Sequence, residues 1–387
     1  MRMLCERTDT RSGDVTVHVL IARPDHLGDV LLTLPAATAF RAAFPGTYLA
    51  LLLSTSTADV ARRCPDVDET LALPFPPLGT VFSAQDWDDV ARAKANALRD
   101  RFDLAILCRP DDPWCGTLVN LAEIPIRIGY AVPGMERFLT HAVQLREEHH
   151  AAIQSLGLME EAARCLGLSA AGQRALSAAV LSRASVPFVP TQDEEALVRR
   201  ILAEVPSAGP RPIVFQPGSG WPLKNWAPKR WGQLGIEIRR RYGLTPLVPG
   251  GPGEDLLVHT IVDSSKASCY GLAGRLSVGA LAALYRRSSL VIGIDSGPLH
   301  LAAMVGTRVV GLYGPLPVEQ WGPWSSPETY RLARVSLPCS PCDCIFDPPC
   351  GIPLQPPCME GITVDAVLAA ASELLDVPGP GWAADRG

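Results

Sequence analysis

Asp29, which has a carboxylate side chain, follows Gly28 in a short polar loop between two apolar segments of the chain. An aspartate at a helix start accepts hydrogen bonds from free backbone amides and suits the helix dipole, so Asp29 could be a helix N-cap. A carboxylate in a loop that faces a substrate can instead take a proton from a hydroxyl. The residue types therefore leave two roles open for Asp29, a structural cap and a general base.

The second loop with suitable chemistry is QPGSGWPLKNW, residues 216–226. Gly218 and Gly220 flank Ser219, so the backbone can approach a ligand closely while the serine adds a hydroxyl. Lys224 supplies a flexible positive charge that suits a diphosphate. The segment matches neither the Walker A pattern nor the dinucleotide fingerprint GxGxxG. A flexible turn with a surface lysine is the structural alternative, and we favour phosphate binding because lysine is scarce in this chain.

The third loop is GGPGED, residues 250–255. Glu254 or Asp255 could accept hydrogen bonds from the hydroxyls of a ribose, as an acidic residue in such a loop often does in nucleotide-binding sheets. A generic turn followed by a helix cap explains the same residues equally well. We therefore expect a ribose contact here and keep the turn as its alternative.

The fourth loop is DSGPLH, residues 295–300, which is typical of a helix start because proline lacks the N–H that would be unsatisfied in the first turn. The free amides of such a helix start can bind an anion. Asp295 is then available for a sugar hydroxyl, and His300 lies one turn inside the helix; a buried structural histidine is the alternative. The candidate ligands of this loop are Asp295, Ser296, Gly297, Pro298 and His300.

Five of the 11 cysteines lie close together near the C-terminus. Clustered thiols can hold zinc or an iron–sulfur cluster, although this spacing fits no standard zinc finger. Reduced thiols or a disulfide in a proline-rich loop are the alternatives. A bound metal would be structural, because the segment is expected outside the four nucleotide-binding loops. The cysteines are Cys339, Cys342, Cys344, Cys350 and Cys358.

Apolar runs of strand length precede these loops, and helix-like segments follow them. Strands are predicted at 15–22, 48–54, 102–108, 211–216, 245–251, 289–295 and 308–314. Repeated strand–loop–helix units fold into parallel sheets covered by helices, and ligands bind where loops leave the carboxyl ends of the strands. The chain therefore predicts an α/β fold with ligand loops at one edge of each sheet.

A proline-rich polar stretch near residues 183–211 separates two such halves. We expect an N-terminal, acceptor-side domain over residues 15–185 and a C-terminal, nucleotide-binding domain over residues 186–387. A last helix is predicted over 365–375 and can pack back on the N-terminal domain.

Composition narrows the class of protein. A chain of 387 residues that is 47% hydrophobic and 19% charged is not fibrous or disordered, and its length suits two domains. A net charge of −5 argues against nucleic acid as a partner. The leader over residues 1–14 lacks the apolar core of a signal peptide, so we expect a cytoplasmic protein, with peripheral association at the inner membrane surface left open.

Residues 18–46 resemble the opening of the heptosyltransferases of glycosyltransferase family 9. FQPGSGWPLKNWAPKRW, GGPGED, the segment 274–315 and the Cys-rich segment resemble later parts of that family in the same order. The combination of GDV, K-x-W and D-S-G-x-x-H carries the resemblance, which covers essentially the whole chain. It implies a GT-B fold, with two facing Rossmann-like domains and a cleft between them, and no cofactor or metal for catalysis.

The resemblance also implies a reaction and its residues. The reaction is inverting transfer of a heptose from ADP-heptose to a sugar hydroxyl, usually on the lipopolysaccharide inner core. Asp29 resembles the general base, and Lys224 with Ser219 resembles the diphosphate contact. Glu254 is similar to the ribose-side acid, and Leu276 lies where the backbone meets the base. The 295–300 loop resembles the sugar- and phosphate-binding turn.

The expected partners are an ADP-sugar donor and a glycan or small-molecule acceptor. Two other classes of function stay open. One is a glycosyltransferase or epimerase that uses a UDP- or GDP-sugar. The other is a protein that binds nucleotide-sugars without catalysis, against which the presence of both Asp29 and Lys224 argues.

Overall fold

The computed structural model describes residues 16–74, 84–352 and 354–376. The predicted leader over residues 1–14, and residue 15 of the first predicted strand, lie outside the described residues. The chain divides into two compact units, one ending at Pro187 and the other beginning at Phe188.

The first unit is built on a parallel sheet. Its strands are β1 (His18–Ala22), β2 (Tyr48–Ser54), β3 (Glu69–Leu73), β4 (Leu104–Leu107), β5 (Ile126–Tyr130) and β6 (His141–Val143). Its helices are α1 (Leu27–Ala43), α2 (Ala58–Ala61), α3 (Ala84–Leu98), α4 (Pro113–Leu121), α5 (Ala151–Cys165) and α6 (Ala170–Leu181). The strand order is β3-β2-β1-β4-β5-β6, with every described pairing parallel.

The second unit repeats this plan. Its strands are β7 (Ile213–Gln216), β8 (Leu247–Gly250), β9 (Tyr270–Ala273), β10 (Leu290–Ile294), β11 (Val309–Leu312) and β12 (Tyr330–Ala333). Its helices are α7 (Gln192–Glu204), α8 (Pro228–Tyr242), α9 (Asp255–Ser264), α10 (Val278–Arg287), α11 (Gly297–Met304), α12 (Val318–Trp321), α13 (Pro357–Glu360) and α14 (Val364–Leu375). The strand order is β12-β11-β10-β7-β8-β9.

The central strands of both sheets are buried apolar runs, as parallel strands covered on both faces require. β4, β7, β10 and β11 are buried at every residue. Helix ends follow local chemistry: α8 has Pro228 in its first turn and ends at Gly243 in the left-handed conformation (φ 70°). The predicted α/β fold class is confirmed.

Both sheets reverse their strand order at one point. In the first unit the chain leaves β1 toward β2 and β3, then returns to place β4 on the other side of β1. In the second unit, β7 and β10 are related in the same way. Open parallel sheets bind ligands at the carboxyl ends of the two strands that flank this switch point. We therefore expect ligand-binding residues directly after β1, β4, β7 and β10.

The last helix, α14, packs against α8 and β12 of its own unit. Two hydrogen bonds support this packing: Trp226 Nε1 donates to the backbone oxygen of Ile362 (3.0 Å), and the Tyr242 hydroxyl donates to Ser372 Oγ (2.9 Å). That this helix can also pack back on the N-terminal domain stays a prediction. Among the described helices, none has both the length and the hydropathy needed to cross a membrane.

Candidate functional site

Arg23 bridges the switch point of the first unit. It follows β1 directly, and its guanidinium donates a hydrogen bond to the backbone oxygen of Cys108, which follows β4. A second nitrogen, Nη2, donates to Asp29 Oδ1 at 3.0 Å. Arg23 is buried, with 8% of its surface exposed. This arginine therefore fixes the position of the Asp29 carboxylate relative to both strand ends.

Asp29 is the third residue of α1, whose N-cap position is His26. The interpretation of Asp29 as the N-cap is therefore wrong, because the helix begins two residues before it. Gly28 lies in the first turn, between Leu27, the first residue of the helix, and Asp29. The Asp29 side chain is 19% exposed, so it combines a fixed partner, Arg23, with access to solvent. A carboxylate of this kind can accept a proton from a molecule that binds at the switch point.

Burial raises the pKa of the Asp29 carboxyl above its ordinary value. The positive charge of Arg23 acts in the opposite direction and offsets part of this effect, while the charge of Asp25 adds to the rise. A carboxylate with a raised pKa is a stronger base toward the proton of a hydroxyl.

Further charges extend from Arg23. Asp25 lies 3.6 Å from Arg23, and Arg109 lies 4.0 Å from Asp25 on its other side. Arg109 also pairs with the exposed Asp111 at 3.0 Å. The positive charge of Arg23 is thus shared between two carboxylates and one carbonyl. It therefore neutralises the negative charge of Asp29 only in part.

Lys224 and Asp295 meet across the switch point of the second unit. Lys224 lies in a short 3-10 turn after β7, and Asp295 follows β10. The lysine Nζ donates to Asp295 Oδ2 at 2.8 Å, and both side chains are buried. An ammonium has three donors, so two remain for another acceptor while one is held by Asp295.

His300 lies on the other side of the Asp295 carboxylate, with Nε2 3.5 Å from Oδ1. Burial by itself would raise the pKa of Asp295, but Lys224 and His300 outweigh it, so the pKa of Asp295 lies below its ordinary value. Asp295 is therefore a fixed negative charge that holds Lys224 in place. The sequence analysis assigned Asp295 to a sugar hydroxyl, and the structure gives its carboxylate two protein partners first.

Two buried polar atoms beside this pair have no hydrogen-bond partner among the described residues: Ser296 Oγ and His300 Nδ1. Ser296 is the N-cap residue of α11, and its side chain makes no cap hydrogen bond. Gly297 and Pro298 begin the first turn. Pro298 has no N–H, and the Leu299 and His300 amides donate to the backbone oxygen of Ser296, so Gly297 supplies the first-turn amide that is left for another acceptor. Buried polar groups without partners are uncommon, and here they surround a helix start suited to an anion.

Glu254 links two of the predicted loops. Its Oε2 accepts from the backbone amide of Gly251 at 2.7 Å, and its carboxylate lies against Gly218. A Cβ built on Gly218 would stand 1.9 Å from Glu254 Oε1, whereas a Cβ on Gly220 would meet nothing within 4 Å. Gly218 is therefore required for the position of Glu254, and Gly220 is not.

Ser219 uses its hydroxyl within its own loop. The Oγ atom donates to the backbone oxygen of Trp221 at 2.7 Å and accepts from the Trp221 amide at 3.1 Å. It also lies 3.2 Å from Asn225 Oδ1. Ser219 therefore orders the loop that carries Lys224, a role that the sequence analysis did not assign to it.

Leu276 is half-buried in the turn between β9 and α10, where Gly274 has a positive φ of 66°. Next to it, Ser277 caps α10 by accepting from the Ala280 amide. A cavity of about 580 Å³ lies beside α9 and β9; its lining includes Asp255 and Ala273 but not Leu276.

The Cys-rich segment contacts the loop that carries Lys224. The rings of Phe346 and Trp221 meet edge to face, with centroids 4.8 Å apart. The thiols make separate hydrogen bonds: Cys342 Sγ donates to the backbone oxygen of Cys344, and Cys344 Sγ donates to the backbone oxygen of Asp347. Within the described residues, no three ligand atoms of this segment lie close enough to hold a metal. The predicted metal site here is therefore unsupported.

A family model described as glycosyltransferase family 9 (heptosyltransferase) matches residues 91–348. The chain belongs to this family. A curated relative, lipopolysaccharide heptosyltransferase 3 of Escherichia coli, is 24% identical over 311 residues, which are 77% of this chain and 84% of that protein. The chain is therefore a glycosyltransferase of the heptosyltransferase family.

Solved structures agree with this assignment. The family 9 glycosyltransferase of Veillonella parvula DSM 2008 superposes with a TM-score of 0.73 at 22% identity, over 93% of this chain and 97% of that chain. The E. coli heptosyltransferase WaaC with ADP gives a TM-score of 0.67 at 20% identity, over 92% and 100%. These similarities establish the fold, so the predicted GT-B type is confirmed.

Sequence reasoning missed Arg23 and Asn225. Arg23 directly follows β1 and directly precedes the first candidate loop, residues 24–29, so a loop extended by one residue toward the strand would have included it. Asn225 follows Lys224 in the same motif, and its contact with Ser219 became visible only in the structure.

Proposed function

We propose that this protein transfers a heptose from an ADP-linked donor to a hydroxyl of an acceptor glycan, with inversion at the anomeric carbon. Family membership supports a glycosyl transfer. The observation that carries the proposal is the buried Lys224–Asp295 pair at the second switch point, next to two polar atoms that have no partner in the described part of the chain.

The second unit binds the donor in this proposal. Lys224, held by Asp295, donates its free N–H groups to the diphosphate. The Gly297 amide at the start of α11 and the side chains of Ser296 and His300 supply further contacts for the phosphate and the sugar. Glu254 accepts from the ribose hydroxyls, and the turn at Leu276 meets the base. The ADP in the WaaC structure supports an adenine nucleotide.

The first unit supplies the base. Asp29 takes the proton from the acceptor hydroxyl while the oxygen of that hydroxyl attacks the anomeric carbon of the donor. The bond between that carbon and the ADP oxygen breaks in the same displacement, and ADP leaves with the electron pair. Lys224 and the start of α11 offset the charge that develops on the departing ADP. These side chains alone complete the step, so we expect it to need no metal.

The test is a transfer assay with the purified full chain. The protein is incubated with ADP-heptose and a panel of acceptors, both lipopolysaccharide-core glycans and small molecules, and products are measured by mass spectrometry. We expect a product heavier by one heptosyl residue together with stoichiometric ADP, and an unchanged initial rate when a chelator is added.

A nucleotide panel separates this proposal from its alternatives. ADP should raise the thermal midpoint more than UDP or GDP, because only a nucleotide that binds the folded state stabilises it. Transfer from a UDP- or GDP-sugar with none from ADP-heptose would replace the proposed donor. Binding of ADP-heptose without turnover on any acceptor would favour the non-catalytic alternative.

A further inference from the structure

The side chains of His141, Glu161 and Cys165 converge in the first unit, away from the segment where the sequence suggested a metal. Each offers one ligand atom, and the three atoms lie within 4.8 Å of one another. This is the single group of its kind among residues 16–74, 84–352 and 354–376. We propose that these three residues form a zinc-binding site.

Two secondary-structure elements bring the ligands together. Glu161 and Cys165 are one turn apart on α5, so their side chains share a face of that helix. His141 is the first residue of β6, the edge strand of the sheet, and α5 packs on β6. A metal ion at this point would join the helix to the edge strand.

The donor set matches zinc. Zn²⁺ binds thiolate sulfur, imidazole nitrogen and carboxylate oxygen, whereas Ca²⁺ and Mg²⁺ prefer oxygen ligands. Three protein ligands leave the fourth tetrahedral position to a water molecule. On binding, the sulfur of Cys165 forms a bond to zinc, and the thiol proton passes to solvent.

Neighbouring groups already orient two of the ligands. His141 Nδ1 lies 3.0 Å from Thr140 Oγ1, which leaves Nε2 as the nitrogen available for a metal. Arg164 pairs with Glu161 Oε2, while the other oxygen, Oε1, lies 3.8 Å from Cys165 Sγ. Outer partners of this kind hold ligands in position in metal sites.

The site has a structural role. α5 packs closely on α1, the helix that carries Asp29, and Thr33 and Ser155 hydroxyls meet between the two helices at 3.4 Å. Zinc that fixes α5 to β6 would stabilise the first unit without touching the proposed chemistry. Its loss should lower the thermal midpoint and leave the initial transfer rate at low temperature unchanged.

The test uses the full chain, stripped of metal and titrated with Zn²⁺ against a chromophoric chelator. We expect one tight site per chain, and Co²⁺ in its place should show the near-ultraviolet absorption of a thiolate ligand. Cys165→Ser and His141→Gln should each weaken Zn²⁺ binding by at least about 100-fold, since losing even an outer partner typically weakens it roughly 10- to 100-fold.

Matched cysteine variants distinguish this site from the Cys-rich segment. Cys342→Ser and Cys344→Ser should leave the Zn²⁺ affinity and the cobalt spectrum unchanged. Circular dichroism of each metal-free variant checks that it is folded. If Cys165→Ser is unfolded, His141→Gln replaces it in the binding test. The proposal is overturned if no Zn²⁺ binds, if binding survives in both ligand variants, or if it is lost in the Cys342 or Cys344 variants instead.

Discussion

The two switch points have the same strand order but hold their carboxylates in opposite electrostatic states. Asp29 is 19% exposed and its pKa is raised, mainly by burial. Asp295 is 7% exposed and its pKa is lowered, because Lys224 and His300 together outweigh the effect of burial. The topology places one carboxylate at each switch point, and the balance between burial and the nearby cations sets the direction in which its pKa moves.

The difference arises from how each cation is shared. Arg23 spreads its guanidinium over a carbonyl and the carboxylates of Asp25 and Asp29. Among the described carboxylates, only that of Asp295 forms an ion pair with Lys224. Because Arg23 interacts with several acceptors, it neutralises Asp29 only in part, and Asp29 can still accept a proton. Lys224 pairs with Asp295 and thereby keeps that carboxylate ionised.

The largest effect should come from Asp29→Asn. Removing the base should slow transfer by roughly 100- to 10,000-fold, the usual contribution of general base catalysis. Affinity for ADP should stay at the wild-type value, because the nucleotide is assigned to the second unit. Initial rates and ADP titrations by calorimetry measure both quantities.

The matched control for Asp29→Asn is Asp111→Asn, which changes an exposed carboxylate near the same switch point. It should keep the wild-type rate. If Asp29→Asn lost transfer and ADP binding together, the assignment of Asp29 as the base would be refuted.

Lys224→Met should weaken ADP binding by roughly 10- to 100-fold, the value of one or two charge-assisted hydrogen bonds. It also leaves Asp295 buried without its cation, so the free energy of unfolding should fall by about 3 kcal/mol. Lys229→Met is the matched control, since Lys229 is an exposed lysine in the same region. An unchanged ADP affinity in Lys224→Met would contradict the donor site.

Gly218→Ala tests the link between two donor loops. The new methyl group would displace the Glu254 carboxylate, so ADP affinity should fall by about tenfold, as for the loss of one hydrogen bond to a charged group. Gly220→Ala has open space and should bind ADP like wild type. Equal affinities in the two alanine variants would remove Glu254 from the donor site.

The smallest effect at neutral pH should come from Arg23→Gln. Because Arg23 lowers the pKa of Asp29, its loss should raise that pKa further, and the ionised base would then require a higher pH. The acid limb of the kcat/KM profile should therefore move to higher pH. Arg109→Gln, which does not contact Asp29, should leave the limb in place; equal shifts in both variants would exclude a specific role of Arg23.

The sequence predicted the centre of each sheet better than its edges. β1, β2, β4, β7, β8, β10 and β11 correspond to predicted strands, because their apolar runs are nearly continuous. The four edge strands β3, β6, β9 and β12 were missed, since their residues are mostly half-buried or exposed and lack that pattern; β5, next to the edge, was missed as well. Edge strands have one paired side, and tertiary packing rather than hydrophobic periodicity defines them.

The loops of the candidate site were predictable, whereas the contacts between them were not. Each loop follows a strand and contains its own local signals. The Lys224–Asp295 pair joins residues 71 positions apart, and that contact depends on β7 lying next to β10. Cysteine spacing likewise pointed to the 339–358 segment, while the converging ligands lie on β6 and α5.

The central claim is that the second unit holds the donor diphosphate and the first unit supplies the base. Hydrogen–deuterium exchange of the wild-type protein, with and without saturating ADP, tests it most directly. We predict slower exchange in residues 216–226 and 295–300 and unchanged exchange in residues 23–29. Protection confined to residues 23–29, with the other two segments unchanged, would contradict the account.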